Sequence, residues 1–167
     1  MKFKQRTLDA IADMICGNFD QEKSPHFRYR SSSYLTQFFN DCDTDYRHDG
    51  STRKSWVTCA LAQILDEPHS GATVPPETFS RVIRVLMDQG DGMNEGPDRP
   101  TALAMLNVEL AREGFEAFYA DDKQCYLRHI ATKTVGTISA NPHRPFSSVE
   151  LKRREQLSLS VPKTPSI

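Results

Sequence analysis

Apolar residues recur at helical spacing over most of the chain and give way to a strand pattern near its end. Leu8, Ile11, Ala12 and Ile15 predict a first helix, with Thr7 capping its start and Gly17 closing it. Asn18 to Arg30 is polar and aromatic and reads as a loop. Ser31-Ser32-Ser33 then offers cap oxygens to a second helix, whose apolar face is Tyr34, Leu35, Phe38 and Phe39 and which ends near Cys42. A polar connection, Asp43 to Gly50, finishes in an Asp-Gly turn signal. Ser51 or Thr52 caps a third helix striped by Trp56, Val57, Ala60, Leu61, Ile64 and Leu65, with Pro68 and Gly71 ending it. Pro75-Pro76-Glu77 suits the first turn of a fourth helix, where proline lacks only an amide that would be unpaired anyway; its core face is Phe79, Val82, Ile83, Leu86 and Met87. Gln89 to Asp98, with three glycines and a proline, is a loop. Pro100 opens a fifth helix with an apolar side of Leu103, Met105, Leu106 and Leu110, closed by Gly114.

Beyond Gly114 the period changes. Phe115 to Tyr119 and Gln124 to Ile130 are short, aromatic and apolar, and flank Ala120-Asp121-Asp122-Lys123, the pattern of a β-hairpin. The expected fold is mainly α: a compact bundle of five helices with a C-terminal hairpin, winged-helix-like at that end, spanning residues 4–130. Residues 131–167 are rich in proline, serine and threonine and read as a flexible tail with a short amphipathic helix at 149–157.

Composition narrows the class. Apolar residues at 38% and charged residues at 26% are ordinary for a globular chain, and 167 residues suffice for one core. No run of 18 apolar residues occurs, so no membrane span is expected, and the basic start Met1-Lys2-Phe3-Lys4-Gln5-Arg6 is not followed by the apolar stretch of a secretory signal. The four cysteines, Cys16, Cys42, Cys59 and Cys125, sit in helical or strand patterns without close pairing; they read as reduced, mostly buried thiols in a cytoplasmic protein. The net charge of −1 is uneven: 6 Lys/Arg against 2 Glu from Ala131 onward gives +4, leaving 15 against 20, or −5, before it. A net-acidic body argues against generic phosphate-driven nucleic-acid binding.

No motif of catalysis or metal binding is found, and no cofactor is implied. Asp41-Cys42-Asp43-Thr44-Asp45 begins like a calcium loop, but Tyr46 and Thr52 stand where that loop needs glycine and glutamate. Cys125 and His129, and Cys42 and His48, lack the partners and spacing of a zinc site. Gly90-Asp91-Gly92-Met93-Asn94-Glu95-Gly96 is acidic and lacks the lysine of a phosphate loop. Two basic, aromatic stretches form a candidate patch for an anion, a nucleic acid or an acidic partner: Arg28, Tyr29 and Arg30, with Arg47, Arg53 and Lys54. The helix–loop–helix–hairpin order could present DNA with a recognition helix and a wing. The long loop, the exposed Glu109 and Glu113 beside Arg99 and Arg112, and the acidic wing tip Asp121-Asp122-Lys123 all oppose that.

Arg30-Ser31-Ser32-Ser33-Tyr34-Leu35, Trp56 in the third helix, the Phe79 to Leu86 helix, and Leu106-Asn107-x-x-Leu110-x-x-x-Gly114 running into a hairpin follow in this order. Over Lys4 to Ile130 this resembles the N-terminal domains of AbiJ-type abortive-infection proteins of bacteria. The resemblance implies an antiviral sensing, targeting or assembly role with another protein or an effector module as partner, and no catalytic residue. In that family an effector region follows, often a helical ribonuclease-type module; here Lys152-Arg153-Arg154 reads as the start of a linker, and the chain stops at Ile167. The residues themselves assign structural work: Leu106 and Leu110, one turn apart, anchor the fifth helix, Asn107 between them bonds the hairpin backbone, and Gly114 reverses the chain. The expected function is thus non-catalytic recognition or assembly, with a small nucleic-acid-binding regulator as the alternative.

Overall fold

A computed structural model describes residues 1–18, 26–91 and 98–131. The expected tail and the helix at 149–157 lie outside the described residues. Five helices, α1 (Gln5–Cys16), α2 (Ser32–Asp41), α3 (Arg53–Leu65), α4 (Glu77–Leu86) and α5 (Asp98–Leu110), precede an antiparallel hairpin of β1 (Phe115–Tyr119) and β2 (Cys125–His129). The helix α1 lies along α3, α5 packs on β1, and α4 packs on β2. Among the described residues no helix is long and apolar enough to cross a membrane.

The core follows the predicted stripes. Leu8, Ile11, Ala12 and Ile15 of α1, the six predicted residues of α3 and the five of α4 and its C-cap are all buried. Trp56 packs edge-on against Phe39, 5.2 Å between ring centres, joining α2 to α3. Phe3 meets Phe79 and Phe115, which ties the N-terminus to α4 and the hairpin. Two predicted core residues are outside. Tyr34 is 66% exposed and Met105 40% exposed. Each stands about 100° around its helix from the centre of a narrow buried stripe, Leu35–Phe38–Phe39 in α2 and Ala102–Leu106–Leu110 in α5, and lies at its outer margin.

Helix ends depart most from expectation, because distant residues cap them. Thr7 is not the cap of α1; it is buried three residues inside the N-cap Lys4, and its hydroxyl donates to Glu113 at 2.7 Å. Glu113 also accepts the Lys4 amide at 3.2 Å, so a carboxylate from after α5 serves the amide-rich end of α1. Ser31 and Thr52 occupy the N-caps of α2 and α3 without a side-chain cap bond. Arg99 is not exposed beside the glutamates. It is buried, and its guanidinium donates to the carbonyls of Leu86 (3.3 Å) and His26 (2.7 Å) and to Asp98 (3.0 Å), covering the C-terminal end of α4.

Two predicted glycine roles hold. Gly17 closes α1 with φ of +57°, and Gly114 turns the chain into β1 with φ of +84°. Asn107 bonds β1 from both sides of its amide: Nδ2 donates to the Ala117 carbonyl at 2.9 Å, and Oδ1 accepts the Ala117 amide at 2.7 Å. In the ladder Ala117 faces Leu127 in a pair whose own backbone groups point away from each other. Asn107 thus takes the place of a third strand at one residue.

Candidate functional site

The loop carrying Arg28, Tyr29 and Arg30 runs across the C-terminal end of α1. The Arg30 amide donates to the Cys16 carbonyl at 2.8 Å. The approach is so close that a β-carbon on Gly17 would stand 2.2 Å from the Arg28 carbonyl oxygen, which is why glycine is needed there. The last carbonyls of α1 have no intrahelical donor, and α1 has no basic residue in its last turn. Two remote arginines supply the donors: Arg30 reaches the Ile15 carbonyl at 2.8 Å, and Arg53 reaches those of Cys16 and Arg30. Cations at a helix C-terminus also complement its dipole.

This bracing decides what the predicted basic patch is. Arg30 is buried, its guanidinium paired with Asp91 and lying 4.7 Å over the Phe38 ring. Burial pushes the Arg30 guanidinium below its ordinary value and the Asp91 carboxyl above its own; their mutual attraction offsets both. Arg53 stacks 4.4 Å over Tyr29. Lys54 pairs with Asp13 at 2.6 Å. Arg28, half exposed, turns toward the Gly90 carbonyl (3.4 Å) and Asp91 (3.7 Å). Arg47 is exposed. The six residues therefore do not form one free cationic surface: Arg28, Tyr29 and Arg30 come together, Arg53 buttresses them, and Arg47 and Lys54 lie outside that group.

What Arg28, Tyr29 and Arg30 do form is one wall of a cleft of about 560 Å³. One face of α2 forms another, with Tyr34, Gln37, Phe38 and Asp41 at three- and four-residue spacing. Val85, Asp88, Gly90 and Asp91 complete it. Gln37 donates to Asp41 at 2.7 Å, and Asp88 accepts the Gly90 amide at 2.7 Å. The acidic residues were not foreseen here, although a signal existed: no acid occurs from Ser24 to Asn40 and no base from Asp88 to Asp98, and Arg28 and Arg30 of the first stretch pair with Asp91 of the second.

The remaining chemistry is quiet. Cys16, Cys42 and Cys125 are buried free thiols, and burial pushes them up to about 11, about 12 and about 11; Cys59 is exposed. Thiols held so far above neutral pH carry little thiolate and are poor nucleophiles. Among the described residues no group of three or more His, Cys, Asp or Glu side chains is arranged to hold a metal ion. The chain matches no family model, no curated protein and no solved structure.

Proposed function

We propose that this chain is a non-catalytic recognition or assembly module of an antiviral defence system of the abortive-infection kind. The observation that carries the recognition part is the division of labour around the α2 cleft. Its buried Arg30 serves the fold with Asp91, and the neighbouring Arg53 braces the end of α1. On α2 the groups it turns to solvent are a tyrosine ring and polar side chains one helical turn apart, Tyr34, Gln37 and Asp41, which suit contact with a partner. The defence part rests on the sequence resemblance over Lys4 to Ile130.

The test is phage plating on bacteria carrying the gene with its neighbouring reading frames. Wild type should restrict at least one phage of a lytic panel. Tyr34→Ala/Gln37→Ala should lose roughly tenfold or more of that restriction at equal protein level, the effect of removing about 1.4 kcal/mol of contact. Equal plating on wild type and empty vector across the panel refutes the defence role, and undiminished restriction by the double variant refutes the cleft as its recognition surface.

A further inference from the structure

We infer that the α2 cleft receives a guanidinium group, and so that the partner of this module is a protein segment bearing an exposed arginine. The proposal rests on the recognition reading above and names the chemistry of that partner.

Three features of the cleft converge on this ligand. Its carboxylates outnumber its cations: Asp41, Asp88 and Asp91 line it with Arg28 and Arg30. Arg30 and Asp91 neutralise each other, and Arg28 leans on the Gly90 carbonyl and Asp91, which leaves Asp41 on one wall and Asp88 on the other. On the same face of α2 as Asp41, Tyr34 offers an open ring, at 66% exposure the most exposed large apolar or aromatic side chain described. A cation over such a ring, beside a carboxylate, is attracted by both. An anion would meet two carboxylates against one half-exposed cation, Arg28, which already turns to Asp91.

A planar guanidinium fits better than a lysine ammonium, since it stacks on a ring with its face and bonds carboxylates with its edge. Among the described residues four arginines lie over rings, Arg30 on Phe38, Arg53 on Tyr29, Arg84 on Tyr126 and Arg128 on Phe118, and two of them, Arg30 and Arg128, also pair with a carboxylate. The first two of those rings belong to the cleft lining. The volume, about 560 Å³, admits an arginine side chain and its flanking backbone.

The experiment is fluorescence anisotropy of the full chain with a labelled pentapeptide of alternating glycine and arginine, and with its citrulline counterpart, which keeps the shape and removes the charge. The arginine peptide should bind at low ionic strength and the citrulline peptide should bind about tenfold weaker or not at all. Tyr34→Ala and Asp41→Asn, both at exposed positions, should each weaken binding about tenfold. Asp121→Asn, an equal change of net charge at the hairpin turn, should leave it unchanged. The inference is overturned if the arginine peptide does not bind, if the citrulline peptide binds equally, or if Asp121→Asn weakens binding as much as Asp41→Asn. Tighter binding of a single-stranded oligonucleotide, lost in Tyr34→Ala, would overturn it in favour of a nucleic-acid partner. Peptide binding that fails while the Tyr34→Ala/Gln37→Ala variant still abolishes phage restriction sinks the guanidinium assignment and leaves the recognition role standing.

Discussion

Replacing Asn107 by alanine removes the single side chain that holds α5 to the hairpin through two backbone hydrogen bonds. Both bonds are short, 2.9 and 2.7 Å, and both end on Ala117, which is 1% exposed. Each is worth about 1 kcal/mol net, but the variant also strands the Ala117 N–H and C=O in a site with little access to water, at about 1–3 kcal/mol for each group left wholly unpaired. Partial entry of water at the vacated position lowers the sum, so Asn107→Ala should cost about 2–4 kcal/mol in urea unfolding. The neighbouring Val108, exposed on the outer side of α5, is the control; Val108→Ala should change stability by less than about 0.5 kcal/mol. Asn107→Asp keeps the acceptor for the Ala117 amide and turns a second oxygen toward the Ala117 carbonyl, and should be no milder than alanine. Hydrogen exchange supplies a local readout: in Asn107→Ala the Ala117 amide should exchange faster relative to the amides inside the ladder. Loss of less than 1 kcal/mol by Asn107→Ala, or equal losses in Asn107→Ala and Val108→Ala, would show that α5 and the hairpin are held by apolar packing alone.

Further outcomes follow from the bracing of the loop. Arg30→Ala leaves the Ile15 carbonyl without its donor and Asp91 with only the longer Arg28 contact, and should destabilise by about 2–4 kcal/mol, whereas Arg30→Ala/Asp91→Ala should lose less than the sum of the single changes in a double-mutant cycle. Gly17→Ala meets both a φ of +57° and the Arg28 carbonyl at 2.2 Å, and should cost about 2–4 kcal/mol by the same urea assay. A disulfide reagent should modify Cys59 quickly and the other three thiols only on unfolding. Those three buried thiols titrate near 11 to 12 in the fold and near 9 in the unfolded chain, so between these values the unfolded chain holds fewer protons and stability falls as pH rises. The slope should approach about 1.4 kcal/mol per pH unit for each thiol, read from urea midpoints between about pH 9 and 11. A flat profile there would refute their burial as protonated groups.

The periodic parts of this fold were legible because periodicity is local. Every predicted apolar position of α1, α3 and α4 is buried, and the hairpin strands fall within a residue of their expected bounds. Asn107 was legible too, since an amide flanked by two anchoring leucines just before a hairpin has few other targets. Caps were not. Thr7 has the chemistry of a local cap, yet a carboxylate from Glu113 serves that end, and nothing within one turn of Thr7 encodes it. Tyr34 and Met105 failed for a related reason: composition says that they are large and apolar, while the width of the buried stripe, which excludes them, is set by the neighbouring elements. The basic patch failed because a cation's partner can lie anywhere in the chain. Arg30 and Asp91 are 61 residues apart, and Arg53 acts on carbonyls that carry no side-chain signature.

That failure bears on function. Arg53 and Arg99 converge from other elements on the segment His26 to Arg30, and Arg30 of that segment reaches back to the end of α1, where Gly17 admits it. The segment is thereby tied to α1 and α5 by hydrogen bonds, and its Arg28, Tyr29 and Arg30 form a wall of the cleft. A wall fixed by buried charge loses little further entropy when a partner lands, so contacts made by Tyr34 and Asp41 would not be offset by ordering the site. In the proposed reading, Arg30 and Arg53 of the predicted patch keep the wall of the recognition cleft in place instead of forming its contact surface. Their removal should therefore weaken recognition only in proportion to the loss of structure, while changes at Tyr34 or Asp41 should weaken it with the fold intact.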